Sequence, residues 1–193
     1  MIKIKIKNRP YGFIYSESLP TDGFIEISIP VAKERVAVTG DYFDVADNHC
    51  AAVCAMNLTL ILRRHRIGHI NRCRIGNDRK KVFLSIHRFI GNGPVVFLKP
   101  KINRYFKSLG SMIRIVPISS YEEIEDSVLG RVPVALLVNA GITNWHWILV
   151  IGIRKYQNGS IYLNILDGWN KRVDRYLKYD GRDSFIRALR PVW

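Results

Sequence analysis

Asn48-His49-Cys50-Ala51-Ala52-Val53-Cys54-Ala55-Met56-Asn57-Leu58 is the stretch on which the fold turns. Asp47 or Asn48 can cap a helix that begins near His49 or Cys50. Val53, Met56, Leu58, Ile61 and Leu62 recur at helical spacing, and the alanines at 51, 52 and 55 admit a close neighbouring backbone. The pattern predicts a mostly buried helix ending between Arg64 and Gly68. A cysteine in the first turn of such a helix stands in the field of unpaired N–H groups, which favours its thiolate.

Two stretches far downstream complete the reading outward. Asn144-Trp145-His146-Trp147 opens an apolar, β-branched run, and Leu166-Asp167-Gly168-Trp169 closes the next. Between the runs lies Asn158-Gly159, a strong hairpin signal, so the two strands are expected to pair antiparallel with His146 alongside Asp167. Cys50, His146 and Asp167 are then the parts of a thiol nucleophile: His146 takes the proton, Asp167 fixes the ring tautomer, and the Cys50 backbone N–H donates to a developing oxyanion. Trp147 and Trp169 flank base and acid, where they would shield their hydrogen bond from water. The competing reading of Cys50 is a buried structural thiol. Cys54, one turn on, is read as core or as a resolving thiol, and His49 as a surface or cleft-rim residue.

Taken together these residues resemble the papain-like cysteine peptidases, and within them the C39-like, bacteriocin-processing group. The resemblance is carried by Asn48-His49-Cys50-Ala51-Ala52 with Met56, by Gly130-Arg131-Val132-Pro133-Val134, by His146-Trp147 running to Gly152-Ile153, and by Asp167-Gly168-Trp169. It spans about residues 40–170. It implies an α+β fold with the nucleophile helix packed on an antiparallel β-sheet, and hydrolysis of peptide bonds. Members place a glutamine about six residues before the cysteine to complete the oxyanion hole. Here that position is Asp44, whose negative charge would repel an oxyanion. The resemblance therefore leaves three outcomes: a protonated Asp44, a donor such as Asn48 or Tyr42 in its place, or a peptidase-like binding module with weak or no activity. A transglutaminase or amidase would use the same three residues.

The rest of the chain fills in a globular protein. Its 193 residues are 48% hydrophobic and 24% charged, which fits one domain over 1–193 and argues against disorder. Strands are predicted over 2–7, 24–29, 113–117, 132–139, 146–153 and 160–166. Helices are predicted over 78–90, 100–109, 119–129 and 183–189, with Ser119 or Ser120 and the acids after it forming a capping box. Positions 31–38 suit either a short helix or a strand. Three cysteines make no disulfide framework, no apolar leader opens the chain, and no run approaches the ~20 apolar residues of a membrane span. A cytoplasmic protein is expected.

The excess of 30 basic over 16 acidic residues, +14, is concentrated between Arg63 and Lys107, where thirteen bases face the single acid Asp78. That segment suits a solvated face, an acidic peptide or protein substrate, or nucleic acid, with Tyr105 and Phe106 as stacking groups. No helix-turn-helix, finger or RNP-like signature accompanies it. Cys50, Cys54, His65 and His69 lack the spacing of a zinc site. No metal and no cofactor are expected.

Overall fold

A computed structural model of the chain describes residues 11–45, 47–67, 70, 76–139 and 144–193. Within them the order is β1 (Ile14–Tyr15), β2 (Phe24–Ser28), α1 (Cys50–Arg64), α2 (Arg79–Ile90), α3 (Leu98–Ser108), β3 (Arg114–Ile118), α4 (Tyr121–Leu129), β4 (Val134–Asn139), β5 (Trp145–Tyr156), β6 (Ile161–Leu166), β7 (Arg175–Lys178) and β8 (Arg187–Val192). The predicted strand over 2–7 lies outside the described residues.

The strands form one antiparallel sheet in the order β1-β7-β6-β5-β4-β8-β3, with β2 added against β5. β5 is its spine because eight of its twelve residues are apolar, β-branched or aromatic and keep it extended past two successive partners. Its first half pairs with β4, Asn139 opposite Trp145, and its second half pairs with β2, Ser28 opposite Gly152. The register against β6 shifts between Val150 and Gly152, a bulge that bends the spine. A Cβ at Gly152 would sit 2.9 Å from the Ile27 carbonyl oxygen and 3.1 Å from the Asn164 Cβ, so only glycine lets β2 and β6 both approach there. The β5–β6 hairpin forms at Asn158-Gly159 as the sequence predicts.

Helix α1 is internal: twelve of its fifteen residues are buried. Its alanines bring it against β5 on one side and α2 on the other. Helices α2 and α3 bury Val82, Phe83, Ile86 and Ile90, and Leu98, Ile102, Tyr105 and Phe106, and turn most of their bases outward. Helix α4 starts with the expected capping box, Ser120 with Glu123. No helix among the described residues is long and apolar enough to cross a membrane.

Two expectations are corrected. In place of the helix predicted over 183–189 the chain has a 3₁₀ turn, Gly181–Ser184, and then strand β8, inserted between β4 and β3. Ladder pairing with both neighbours outweighs the helix preference of Arg187, Ala188 and Leu189. Residues 31–38 are neither helix nor strand but a single 3₁₀ turn, Lys33–Arg35, followed by extended backbone. That backbone has a side-chain partner: the buried Asn57 amide of α1 accepts from Ala37 N at 2.8 Å and donates to Ala37 O at 2.9 Å.

Candidate active site

The turn into α1 differs from its sequence reading. The cap residue is His49, not Asp47 or Asn48, and no side chain caps the first turn. Asn48 takes a left-handed backbone, φ 58°, and its carbonyl accepts from the Gly93 N–H, which ties this turn to the loop after α2. His49 is fully buried, correcting the surface assignment. Its ring meets the Phe83 edge, and its Nε2–H donates to the Thr39 carbonyl at 3.0 Å.

From this turn the contacts run to the other end of the proposed site. The Thr39 N–H donates to the Gly168 carbonyl at 2.8 Å, and Val53 lies 3.5 Å from where a Gly168 Cβ would stand. The first turns of α1 and the Asp167-Gly168-Trp169 turn are therefore in contact. On the next turn of α1, the Cys54 thiol donates to the Ile148 carbonyl at 3.3 Å. Strand carbonyls point within the sheet plane, and the β6 pairing ends at Leu149 opposite Leu166. Helix α1 packs against β5 and β4.

His146 is 2% exposed. Its Nε2 lies 2.6 Å from the backbone carbonyl of Asp167, an acceptor only, so Nε2 carries the hydrogen and Nδ1 is the basic nitrogen. The Trp169 indole stacks on the imidazole at 3.9 Å between centroids and 18° between planes, and Tyr11 packs 5.7 Å from the same ring. Trp169 therefore lies against the imidazole itself. Trp147 does not: alternation along β5 turns it to the face opposite His146, where its indole N–H donates to the Val95 carbonyl at 2.9 Å. It is a core residue, 1% exposed.

Asp167 fixes the ring through its main chain, where its carboxylate was expected. The carboxylate, 1% exposed, closes its own turn: one oxygen accepts from the Trp169 and Asn170 N–H groups at 2.8 and 3.2 Å, the other from the Asn170 side chain at 2.9 Å and from Arg175. The reason is register. Ile165 pairs with Arg175, and side chains two apart share a face, so the next side chain on that face meets the guanidinium. Arg175 in turn lies over the Phe13 and Tyr15 rings.

The oxyanion candidates are corrected as well. Asp44 is exposed and ion-paired with Lys80 of α2, which holds its carboxyl below the usual range. Its charge is thus neutralised on the surface. Tyr42 is buried, stacked face to face on Phe83 at 3.9 Å, with its hydroxyl donating to the Met56 sulfur at 3.3 Å; burial pushes that hydroxyl's pKa up. Asn48 is exposed. Burial also pushes the Cys54 thiol far up, with Cys50 adding to it, so Cys54 stays a protonated core thiol rather than a resolving nucleophile. Cys73 and His69 lie outside the described residues.

Sequence reading missed Arg175, Asn170, Thr39 and Tyr11. Asn170 alone left a signal, since Asp-Gly-x-Asn is a turn whose acid bonds its own following amides.

No protein-family model and no curated protein matches the sequence. Among solved structures, digestive procathepsin L 3 of Tenebrio molitor larval midgut aligns with 95% of this chain and 73% of its own at 15% identity, with a TM-score of 0.38 too low to bear on the fold. A protein described as a C39-like peptidase from Bacillus anthracis aligns with 88% of this chain and 98% of its own, at TM-score 0.54 and 15% identity. At that identity the likeness is one of fold, and it agrees with the architecture above: the chain has the α+β, papain-like fold, with the helix that begins at Cys50 packed against an antiparallel sheet.

Proposed function

We propose that this protein is a thiol hydrolase, a cysteine peptidase or related amide hydrolase that forms an acyl-enzyme on Cys50. The observation that supports it is the hydrogen bond of His146: its Nε2–H donates to the Asp167 carbonyl, which makes Nδ1 the nitrogen able to accept a proton, and α1, which begins at Cys50, packs against β5. In this reading Nδ1 takes the Cys50 proton and the thiolate attacks the amide carbonyl. The Cys50 backbone N–H, at the positive end of α1, donates to the oxyanion. The C–N bond breaks as the imidazolium protonates the leaving amine, giving a thioester. Water, deprotonated by His146, then attacks the thioester, and the C–S bond breaks to restore the thiol. An acidic peptide suits the net charge of +14.

One observation favours a second reading, a peptidase-like binding module. Cys50 is only 4% exposed, and Tyr11 and Trp169 pack over His146. The other support for that reading, a repelling Asp44, is gone. Alkylation of Cys50 by iodoacetamide separates the two. A hydrolase labels quickly near neutral pH and loses that rate in His146→Ala, whereas a sealed thiol labels slowly in both.

A further inference from the structure

A cavity of about 750 Å³ opens beside the second half of α1, away from Cys50. Arg35, Arg63, Arg64 and Arg79 line it, brought from three elements, and none of the four is ion-paired among the described residues. Its floor is apolar, with Leu60 and Leu166. The α1 dipole accounts for bases at its last turn, Arg63 and Arg64, but not for Arg35 or for Arg79 at the first position of α2. Arg63 is held in place by the Gly76 carbonyl at 2.5 Å and Asn77 Oδ1 at 2.6 Å. Arg79 gives Nη1 to the Glu34 carbonyl at 3.3 Å; its Nη2 is buried and makes no hydrogen bond, with the Tyr42 hydroxyl as the polar neighbour of the guanidinium.

Four cations converging with no carboxylate among the described lining residues repel one another, and an unsatisfied buried guanidinium N–H costs free energy. Both penalties vanish when an anion enters. An apolar floor under a polar rim in a cavity of this size is the form of a small-molecule site, not of a track for a polymer. We propose that this cavity binds a small organic anion, a phosphate, sulfonate or carboxylate group carried on an apolar or planar body. Charged oxygens meet Arg79 Nη2 and the rim of Arg35 and Arg64, and the body lies on Leu60 and Leu166. The site stands apart from Cys50 and does not depend on the hydrolase reading.

The test is titration of the full chain with 8-anilinonaphthalene-1-sulfonate, followed by its fluorescence and by calorimetry, in wild type, R35A/R64A and Leu60→Trp. Arg35 and Arg64 are exposed, so their removal leaves the fold intact. The expected result is one saturable equivalent in wild type, weakened about tenfold or more in each variant, as loss of charge-assisted contacts or of the floor requires. Equal binding by R35A/R64A and wild type, or no saturable binding in wild type, overturns the proposal. So does salt-dependent binding of single-stranded oligo(dT) without any binding of the sulfonate, which would make the cluster a polyanion surface.

Discussion

At the scale of single residues, the division of labour within Asp167 carries the sharpest consequence. Where a carboxylate orients the base, its loss costs on the order of 10⁴ in rate. Here the main-chain carbonyl holds the ring, so Asp167→Asn is expected to slow Cys50 alkylation by less than about tenfold. A loss near 10⁴ would return the role to the carboxylate. Arg175→Met leaves a buried, unpaired carboxylate and is expected to cost about 3–5 kcal/mol in denaturant unfolding. Trp169→Ala is expected to change Cys50 reactivity with little change in stability. Trp147→Ala should do the reverse, destabilising by about 3–5 kcal/mol, because Trp169 stacks on His146 while Trp147 is buried in the core with its N–H on the Val95 carbonyl. Cys50, His146 and Asp167 could be singled out in the sequence as candidates because few residue types do this chemistry. That Asp167 works through its backbone was not legible, because the contact depends on where β6 ends and which way its last side chains face. Arg175 was hidden among thirty bases.

At the scale of elements, the legible parts are those with a local cause. The cap of α4, the hairpin at Asn158-Gly159 and the span of α1 follow from short-range chemistry, and the structure has them. β8 was not legible, since its strand form comes from neighbours more than forty residues away in sequence. Nor was the task of Asn57, which looked like an interruption in an apolar helix yet holds Ala37 as a strand partner would. Asn57→Leu leaves the Ala37 N–H and carbonyl unsatisfied and is expected to cost about 2–4 kcal/mol by chemical denaturation. An unchanged midpoint would show that the pair contributes nothing. Gly152→Val drives a side chain into the β2 backbone and should prevent the spine from pairing with β2; a folded variant with native amide exchange in residues 24–28 would contradict this.

At the scale of the whole molecule, charge sets the working range. The carboxyls of Asp174, beside Arg172, of Asp44, beside Lys80, and of Glu123, bonded to the Ser119 N–H, lie below their ordinary values. A carboxyl lowered on folding stabilises above its unfolded pKa near 4 and loses that contribution as pH falls through its folded value. Thermal melts should therefore be level from about pH 5 upward and decline below about pH 4. The basic segment carries most of the +14, and on α2 and α3 its bases cover helices whose other faces are core, so the charge was legible while its partner was not. The central claim, that α1 and β5 assemble an activated thiol from Cys50 and His146, rests on how these long-range elements meet. It is tested most directly by the pH dependence of Cys50 alkylation by iodoacetamide, read by mass spectrometry in wild type and His146→Ala. The account expects fast labelling below pH 7 in wild type that falls sharply in the variant. Slow labelling that rises only near the ordinary thiol pKa of about 8.5, unchanged by the substitution, would contradict it.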